Sequence, residues 1–229
     1  MALAFRSASQ NSSSSGSAVS VDKPSGAVTG DTVFVVVQGN GQITISDNNG
    51  STPFTPAPNF TDYKPNTTNG HTITVFKRKL VDGDPATFNF MLSVAGRWGV
   101  VALCFSGNDV DYDVAPNTAN AANADDSSSG SIDAPAITVG DSTIHIVFCG
   151  WDTGAIGTIT TPSGYTLAEN ANGGGEPLHA SYKAFATGGS TGAVTCANTE
   201  NGARIAASFS VKETATAVVV KTLAALGVG

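Results

Sequence analysis

The sequence has few charged residues and no long apolar segment. Only 13% of its 229 residues are charged, and 11 Lys and Arg against 18 Asp and Glu give a formal net charge of -7. A chain with so few cations is poorly suited to neutralising phosphates, so we expect no binding to nucleic acid or to anionic membrane surfaces. No apolar run approaches the roughly 18 residues of a membrane span. The first residues lack the shape of a signal peptide, so export by the general secretory route is not expected.

Cysteine is also scarce. Cys104, Cys149 and Cys196 are too few and too scattered to indicate a disulfide framework or a zinc site. Because the number is odd, at least one thiol stays unpaired within a monomer. We favour buried free thiols, and whether any of the three forms a disulfide stays open.

Turn-forming residues and short strand patterns make up most of the sequence. With 26 Gly and 10 Pro, turns are frequent and long helices are not expected. Apolar or alternating runs between these turns predict strands at residues 32–37, 43–46, 73–78, 88–92, 100–105, 144–148, 157–160, 180–184, 193–196 and 205–211. Strands at this spacing indicate an antiparallel sandwich or barrel.

Several landmarks occur twice in the same order. They are a Ser-rich opening (12–17 and 127–131), a Gly-Asp pair (Gly30-Asp31 and Gly140-Asp141), a lysine (Lys77 and Lys183) and an arginine (Arg97 and Arg204). Self-similarity at a fixed spacing is the signature of repeated structural units. The order of the landmarks therefore predicts a tandem repeat.

The predicted fold class is all-β, with two tandem antiparallel β-sandwich repeats of jelly-roll-like form. We assign residues 1–110 to the first repeat and 111–213 to the second, with a linker at about 111–127 and an apolar C-terminal extension at 214–229. An alternative topology is one domain whose two sheets come from the two halves. The extension either packs on its own domain or docks on a neighbouring chain; its candidate assembly contacts are Val218, Val220, Leu223 and Leu226.

Three acidic residues form a candidate metal site. Asp109, Asp111 and Asp113 stand at alternate positions, and oxygen ligands of this kind can bind calcium. The glycine and the final glutamate of a calcium loop are missing, so a solvated segment between the repeats is the alternative that we favour. A structural calcium ion is the only cofactor that the sequence suggests.

Aromatic residues form a candidate ligand site, and no catalytic residues are predicted. Trp98, Trp151 and Tyr165 could stack on sugar rings if they are exposed; packing in the core or at its rim is the alternative that we favour. Neither a catalytic triad nor a pair of acids is evident. Arg97 and Arg204 each precede an apolar run, where a guanidinium can satisfy loop carbonyls or a carboxylate.

The order of these segments resembles a repeated β-sandwich unit in structural proteins of tailed bacteriophages. The resemblance covers about residues 5–212. It rests on the two Gly-Asp pairs and on the segment Thr161-Pro-Ser-Gly-Tyr165 of the second unit. The first unit has Thr52-Pro-Phe-Thr-Pro56 in place of that segment, so the two units need not have equal functions.

The resemblance implies a non-enzymatic virion protein that decorates the capsid or the tail. Such a protein is made in the host cytoplasm without a signal peptide. It would bind major capsid or tail proteins in many copies or as a homo-oligomer, and it could add adhesion to a host glycan. We favour the capsid exterior over the tail, because a short chain without fibrous repeats suits decoration. A stand-alone carbohydrate-binding module is the main alternative, and a hydrolase is a more distant one.

Overall fold

The computed structural model describes residues 2–41, 43–57, 71–107, 109–116, 130–153, 157–200 and 202–214. All secondary-structure elements in these residues are β-strands, and neighbouring strands pair antiparallel. The predicted all-β fold class is therefore confirmed. No helix long and apolar enough to cross a membrane occurs in the described part of the chain.

The first half of the chain forms two sheets. Its strands are β1 (Ala4–Ser13), β2 (Ala18–Asp22), β3 (Thr32–Asn40), β4 (Ile45–Asp47), β5 (Thr55–Pro56), β6 (His71–Lys79), β7 (Thr87–Leu92) and β8 (Trp98–Ser106). The first central sheet has the order β1-β8-β3-β6-β5, and the first outer sheet has the order β2-β7-β4. This is the order of an eight-stranded jelly roll whose fifth strand has joined the sheet of its sixth.

The second half follows the same order with two additional short strands. Its strands are β9 (Val110–Val114), β10 (Ser131–Ala134), β11 (Thr138–Val139), β12 (Thr143–Asp152), β13 (Ile159–Thr160), β14 (Thr166–Ala171), β15 (Leu178–Phe185), β16 (Gly189–Ser190), β17 (Val194–Asn198) and β18 (Ala203–Glu213). The second central sheet is β14-β15-β12-β18-β9, and the second outer sheet is β10-β17-β13. Strands β11 and β16 pair with each other as a separate ribbon.

The chain passes from one half to the other just before β9. Strand β9 pairs with β18, so it belongs to the second central sheet. The predicted linker at 111–127 therefore begins inside a strand, and residues 117–129 lie outside the described part of the chain. The last strand of the first half, β8, ends at Ser106, and the first strand of the second half, β9, begins at Val110.

The repeated landmarks match the strands unevenly. The two Gly-Asp pairs precede β3 and β12, which hold the same place in the two central sheets, although the positive φ falls on Gly30 (93°) in the first turn and on Ser142 (54°) in the second. The two lysines face opposite sides of their central sheets, because Lys77 lies over Tyr112 of the other half whereas Lys183 lies over Tyr165 of its own. A common strand order is observed, and a tandem repeat in the sequence stays a prediction.

The two central sheets pack face to face and bury what we call the central core. Its members include Phe34, Leu103, Phe105, Ile146, Phe148, Leu178 and Phe209. The outer sheets cover the opposite faces, so the molecule has four layers. Strands β3, β8 and β12 are buried on both faces, and this explains why their sequences are nearly continuous apolar runs.

The two halves meet as the subunits of a two-fold dimer would. Strand β1 lies against β14, and β6 lies against β18. Phe5 of the first half stacks on Tyr182 of the second, with ring centroids 4.4 Å apart. In the reciprocal contact, the Lys77 Nζ of the first half lies 5.5 Å from the ring centroid of Tyr112. Such reciprocity is the mark of an isologous contact.

Each half has an outer core between its central and outer sheets. The first outer core contains Val19, Val21, Val33, Val35, Val37, Ile43, Ile45, Phe54, Phe76, Leu80, Phe88, Phe90, Leu92, Trp98, Val100, Ala102 and Cys104. The second outer core contains Ile132, Ala134, Val147, Cys149, Trp151, Ile159, Val194, Cys196 and Ala206. A disulfide between Cys149 and Cys196 joins the two sheets of the second half. The expectation of buried free thiols therefore holds for Cys104 alone.

Polar side chains of β1 close one edge of the first sandwich. The Ser7 hydroxyl donates to the carbonyl of Ser25 over 2.7 Å, and the Asn11 amide donates to the carbonyl of Ser20 over 2.9 Å. Between them, the Ser9 hydroxyl donates to the carbonyl of Asp22. These donors satisfy carbonyls of the edge strand β2 and of the segment that follows it, which would otherwise be open to another chain.

Candidate functional site

A groove of about 530 Å³ opens at the end of the molecule where β12 begins. Leu3, Ile144 and Phe185 line it with apolar surface, and the exposed methyl of Ala184 extends that surface. Because Leu3 precedes β1 and the others belong to β12 and β15, the groove lies across the junction of the two halves. Its volume is within the range of about 300–1,000 Å³ that is common for ligand sites.

Charged residues stand around this groove. Asp141, Lys212 and Glu213 contribute to its wall. The Lys212 ammonium donates to the Asp113 carboxylate over 2.7 Å, and the Asp141 carboxylate accepts the backbone N–H of Gly188 over 2.6 Å. The groove is thus lined by both apolar and charged residues.

A second candidate site lies on the outer face of the second central sheet. Tyr165 is half-buried after the turn that begins at Pro162, where Gly164 has a φ of 78° that a side chain would strain. The exposed ammonium of Lys183 lies 5.8 Å from the Tyr165 ring centroid and 5.2 Å from that of Phe185. Two partly accessible rings with a cation between them can bind a flat or anionic ligand by stacking and charge.

A buried histidine, His145, contacts both aromatic rings of this cluster. His145 Nδ1 lies 2.6 Å from the Tyr165 hydroxyl, and its ring meets Phe185 edge to face at 6.3 Å between centroids. Burial, followed by the nearby charge of Lys183, lowers the pKa of His145 to about 4. Burial raises the pKa of Tyr165 to about 12. Both groups are therefore neutral near pH 7, which favours a positioning contact over acid–base chemistry.

The opposite end of the central core holds a buried polar network that joins the halves. Gln38 Nε2 donates to Glu176 over 2.7 Å and to the carbonyl of Trp151 over 3.1 Å. Asn40 Nδ2 donates to Asp152 over 2.6 Å and to Glu176 over 3.1 Å. Arg97 forms ion pairs with both carboxylates. The carboxylates are thus held by donors from the first half, and the network fixes how the halves sit together.

The two tryptophans predicted to bind a ligand are buried. Trp98 is 4% exposed in the first outer core, and Trp151 is 0% exposed in the second, where its indole N–H donates to the carbonyl of Gly130 over 3.2 Å. Trp151 points inward because it shares a strand face with Val147 and Cys149. Neither ring can stack on a sugar, so Tyr165 alone of the predicted three retains an accessible ring.

Each of the three candidate calcium ligands is ion-paired with a lysine. Asp109 pairs with Lys79, Asp111 with Lys77, and Asp113 with Lys212. No group of three or more potential metal ligands occurs among the described residues. Partial burial acts to raise the pKa of Asp113, but the Lys212 bond and the N–H of Gly140 outweigh it and lower that pKa. Calcium binding stays a prediction, and it would require the lysines to move.

The remaining predicted site residues, Val218, Val220, Leu223 and Leu226, lie outside the described residues. The groove and the cluster of His145, Lys183 and Phe185 were not predicted. The alternation in β15 could have suggested that Lys183 and Phe185 share a face, but no signal in the sequence brings Leu3 to Ile144.

Comparison with known proteins identifies no relative of this chain. No protein-family model matches it, and neither a curated protein nor a solved structure does.

Proposed function

We propose that this protein is a non-enzymatic structural component of a tailed-bacteriophage virion, mounted in many copies on the capsid exterior or, as the less favoured position, on the tail. The observation that carries the proposal is the central core, through which two jelly rolls form one body rather than two jointed domains. The sequence resemblance to phage structural proteins agrees with this arrangement.

Jelly rolls suit this role on physical grounds. They are common in viral capsid and lectin domains, whose function is to present fixed surfaces. The buried network of Gln38, Asn40, Arg97, Asp152 and Glu176 specifies one arrangement of the halves. A rigid body of this kind loses little conformational entropy when it docks on an assembly, and this favours stable attachment.

The test is to locate the protein on particles. Virions and host-cell fractions are imaged by electron microscopy with a gold-labelled antibody to the recombinant protein. Label spread over the head supports capsid decoration, and label confined to the tail supports the less favoured position. An absence of label on virions, with label in the cell fraction, rejects the proposal. Particles from a phage that lacks the coding sequence serve as the control.

A second candidate function is glycan binding, and the cluster of Tyr165, Lys183 and Phe185 favours it. An aromatic ring presents an apolar face to a sugar, while the ammonium of Lys183 can bind a carboxylate on an acidic sugar. This function is compatible with a virion location, and it is also the function of a stand-alone carbohydrate-binding module.

Three variants test glycan binding on an array of host-surface glycans. Tyr165→Ala removes the ring and should abolish binding, whereas Tyr165→Phe keeps the ring and should retain binding although it loses the contact with His145. Lys183→Ala should weaken binding to acidic glycans more than to neutral ones. Equal binding by wild type and Tyr165→Ala would reject this function.

A further inference from the structure

We propose that the Cys149–Cys196 disulfide is a thiol–disulfide exchange site, which small dithiols open and small disulfides close while the protein stays folded. In the open state, the Cys149 thiol donates its hydrogen to the ring nitrogen Nε2 of His179. The second outer core thereby has a redox function. The proposal does not depend on whether the protein belongs to a virion.

The first argument is where the histidine lies. Strands β12 and β15 pair antiparallel, and Cys149 and His179 are directly opposite each other in that pair. Side chains of directly opposite residues are on the same face of a sheet, with Cβ atoms about 4.5–5.5 Å apart. Since Cys149 belongs to the second outer core, the His179 ring lies on that face too, next to Cys149.

The second argument is that His179 presents a buried hydrogen-bond acceptor. Its Nδ1 lies 2.6 Å from the Asn170 Oδ1, and an amide oxygen only accepts, so Nδ1 carries the proton and Nε2 has a lone pair. Burial lowers the pKa of His179 to about 4, so the ring is neutral near pH 7. Its Nε2 is buried and has no hydrogen-bond partner among the described residues. A disulfide has no hydrogen to donate to this atom, whereas a thiol has one.

The third argument is energetic. A buried acceptor without a donor destabilises the state in which it occurs. The His179 Nε2 is such an acceptor when the disulfide is formed, and the Cys149 thiol can satisfy it when the bond is open. The histidine therefore favours the dithiol form more than an apolar side chain at the same position would. A disulfide whose reduced form is stabilised in this way is more readily reduced by small thiols.

Access to the bond requires local opening, since both cysteines are 0% exposed. The second outer sheet covers them with strands of only four, five and two residues, β10, β17 and β13. Small elements of this kind can open without global unfolding. The sheet therefore limits how fast a reagent reaches the sulfurs, without preventing the reaction.

The exchange balances with a dithiol as the reductant. Its thiolate attacks the Cys196 sulfur, and the Cys149 sulfur leaves and takes up a proton. The second thiol of the reagent then attacks the mixed disulfide at the reagent's own sulfur and releases the Cys196 thiolate, which is protonated. One S–S bond of the protein is lost, one S–S bond of the reagent is formed, and two protons and two electrons pass to the protein.

The experiment measures the redox equilibrium of the bond. The protein is equilibrated with defined ratios of reduced to oxidised dithiothreitol, and free thiols are trapped with a maleimide under denaturing conditions and counted by mass. Because Cys104 contributes one thiol in every sample, the oxidised protein carries one label and the reduced protein carries three. Circular dichroism at each ratio reports whether the fold is retained.

His179→Leu removes the acceptor, and His145→Leu is the matched control. His145 is also buried with an Nε2 that has no partner among the described residues, but it lies opposite Lys183 rather than a cysteine. For half reduction, His179→Leu should require a ratio of dithiol to disulfide about tenfold higher than the wild type, the factor that one hydrogen bond supplies. His145→Leu should match the wild type. Equal midpoints for His179→Leu and the wild type would overturn the proposal, and so would loss of the fold when the wild-type bond opens.

Nitrogen NMR of wild-type protein with labelled histidines tests the same contact without a substitution. Opening the bond should shift the Nε2 resonance of His179, because that nitrogen gains a hydrogen-bond donor, and it should leave the Nε2 resonance of His145 unchanged. If the His179 resonance does not move, the thiol does not bind that nitrogen and the proposal is wrong. This measurement decides the question even if His179→Leu does not fold.

Discussion

The first outer core contains a cluster of aromatic rings, whereas two buried histidines and a disulfide accompany the second. In the first half, the Phe54 ring meets Phe88 and Phe90 with centroids 5.0 and 5.4 Å apart, and Phe76 meets Phe90 at 4.8 Å. In the second half, the corresponding face of the central sheet contains His145 and His179, both 0% exposed. The same strand order thus supports two different interiors.

The comparison shows how a smaller core can be compensated. Apolar burial is the main force that holds two sheets together, and among the residues that the structure describes the second outer core has fewer apolar members than the first. Its disulfide links β12 to β17 across 47 residues of sequence. Small cores in proteins are commonly reinforced by such links. A covalent bond therefore helps to hold the two sheets of the second half together, as aromatic packing does in the first half.

The largest expected effect comes from removing this bond. The double variant Cys149→Ala/Cys196→Ala should lose about 4 kcal/mol of unfolding free energy, because the unfolded chain regains the entropy of a loop of that length. Denaturant unfolding followed by tryptophan fluorescence measures the loss. Cys104→Ala, which removes a thiol from the first outer core, is the control and should lose less. Equal losses in the two proteins would show that the bond contributes nothing beyond packing.

Acid should weaken the second half through its histidines. Burial lowers the pKa of His179 to about 4, as it does that of His145, whereas both have an ordinary value near 6.5. The unfolded state therefore binds protons that the folded state does not, and stability falls as the pH drops from 6.5 toward 4. As the pH falls from 7.5 to 5, each histidine should lower the free energy of unfolding by about 2 kcal/mol.

Urea unfolding at several pH values tests this expectation. His145→Gln/His179→Gln should remove most of the loss between pH 7.5 and 5. In the first outer core, burial and then the charge of Asp31 raise the pKa of Cys104 to about 12, so that thiol stays neutral in this range. A wild type whose stability is constant from pH 7.5 to 5 would contradict the buried, neutral state of the two histidines.

The strands that are buried on both faces could be predicted from the sequence, whereas the edge strand β1 could not. The nearly continuous apolar runs of β3, β8 and β12 are typical of strands buried on both faces. Strand β1 reads Ala-Phe-Arg-Ser-Ala-Ser-Gln-Asn-Ser-Ser and has little strand propensity. Its conformation depends on pairing with β8 and on the donors that bind β2, which are contacts between residues distant in sequence.

Prediction of the candidate sites from the sequence is limited in the same way, because some of their contacts join residues that are distant in sequence. Burial of Trp151 could have been inferred, because strand alternation places it with Val147 and Cys149. The pairing of Asp109 and Asp111 with lysines of β6 could not, because those contacts exist only once the two central sheets have packed together. The groove likewise forms where three distant segments converge.

The junction of the halves can be strained without touching either outer core. Gly150 faces the central core, and a Cβ there would lie 1.6 Å from Gln38 Oε1. Gly150→Ala should therefore displace Gln38 and cost about 1–3 kcal/mol. Gly96→Ala is the control, since the nearest atom to its Cβ would be 3.7 Å away. If the halves depend on each other for stability, the Gly150 variant should unfold in a single thermal transition at a lower temperature than the wild type. Separate transitions would show that each half is stabilised independently by its own outer core.

The smallest effect concerns how each half secures its first strand. Strand β1 combines neutral donors such as Ser7 with an ion pair between Arg6 and Asp31, whereas β9 relies on the Asp113 carboxylate, which accepts from the backbone N–H of Gly140 over 2.8 Å and from Lys212. Ser7→Ala should cost about 1 kcal/mol, the net value of one hydrogen bond, and added salt should not change that cost. Asp113→Asn should cost more in low salt than in high salt, because its loss includes a screened charge pair. Gln10→Ala on the exposed side of β1 is the control. If the Ser7→Ala protein is as stable as this control, the donors of β1 cover an edge strand without stabilising the fold.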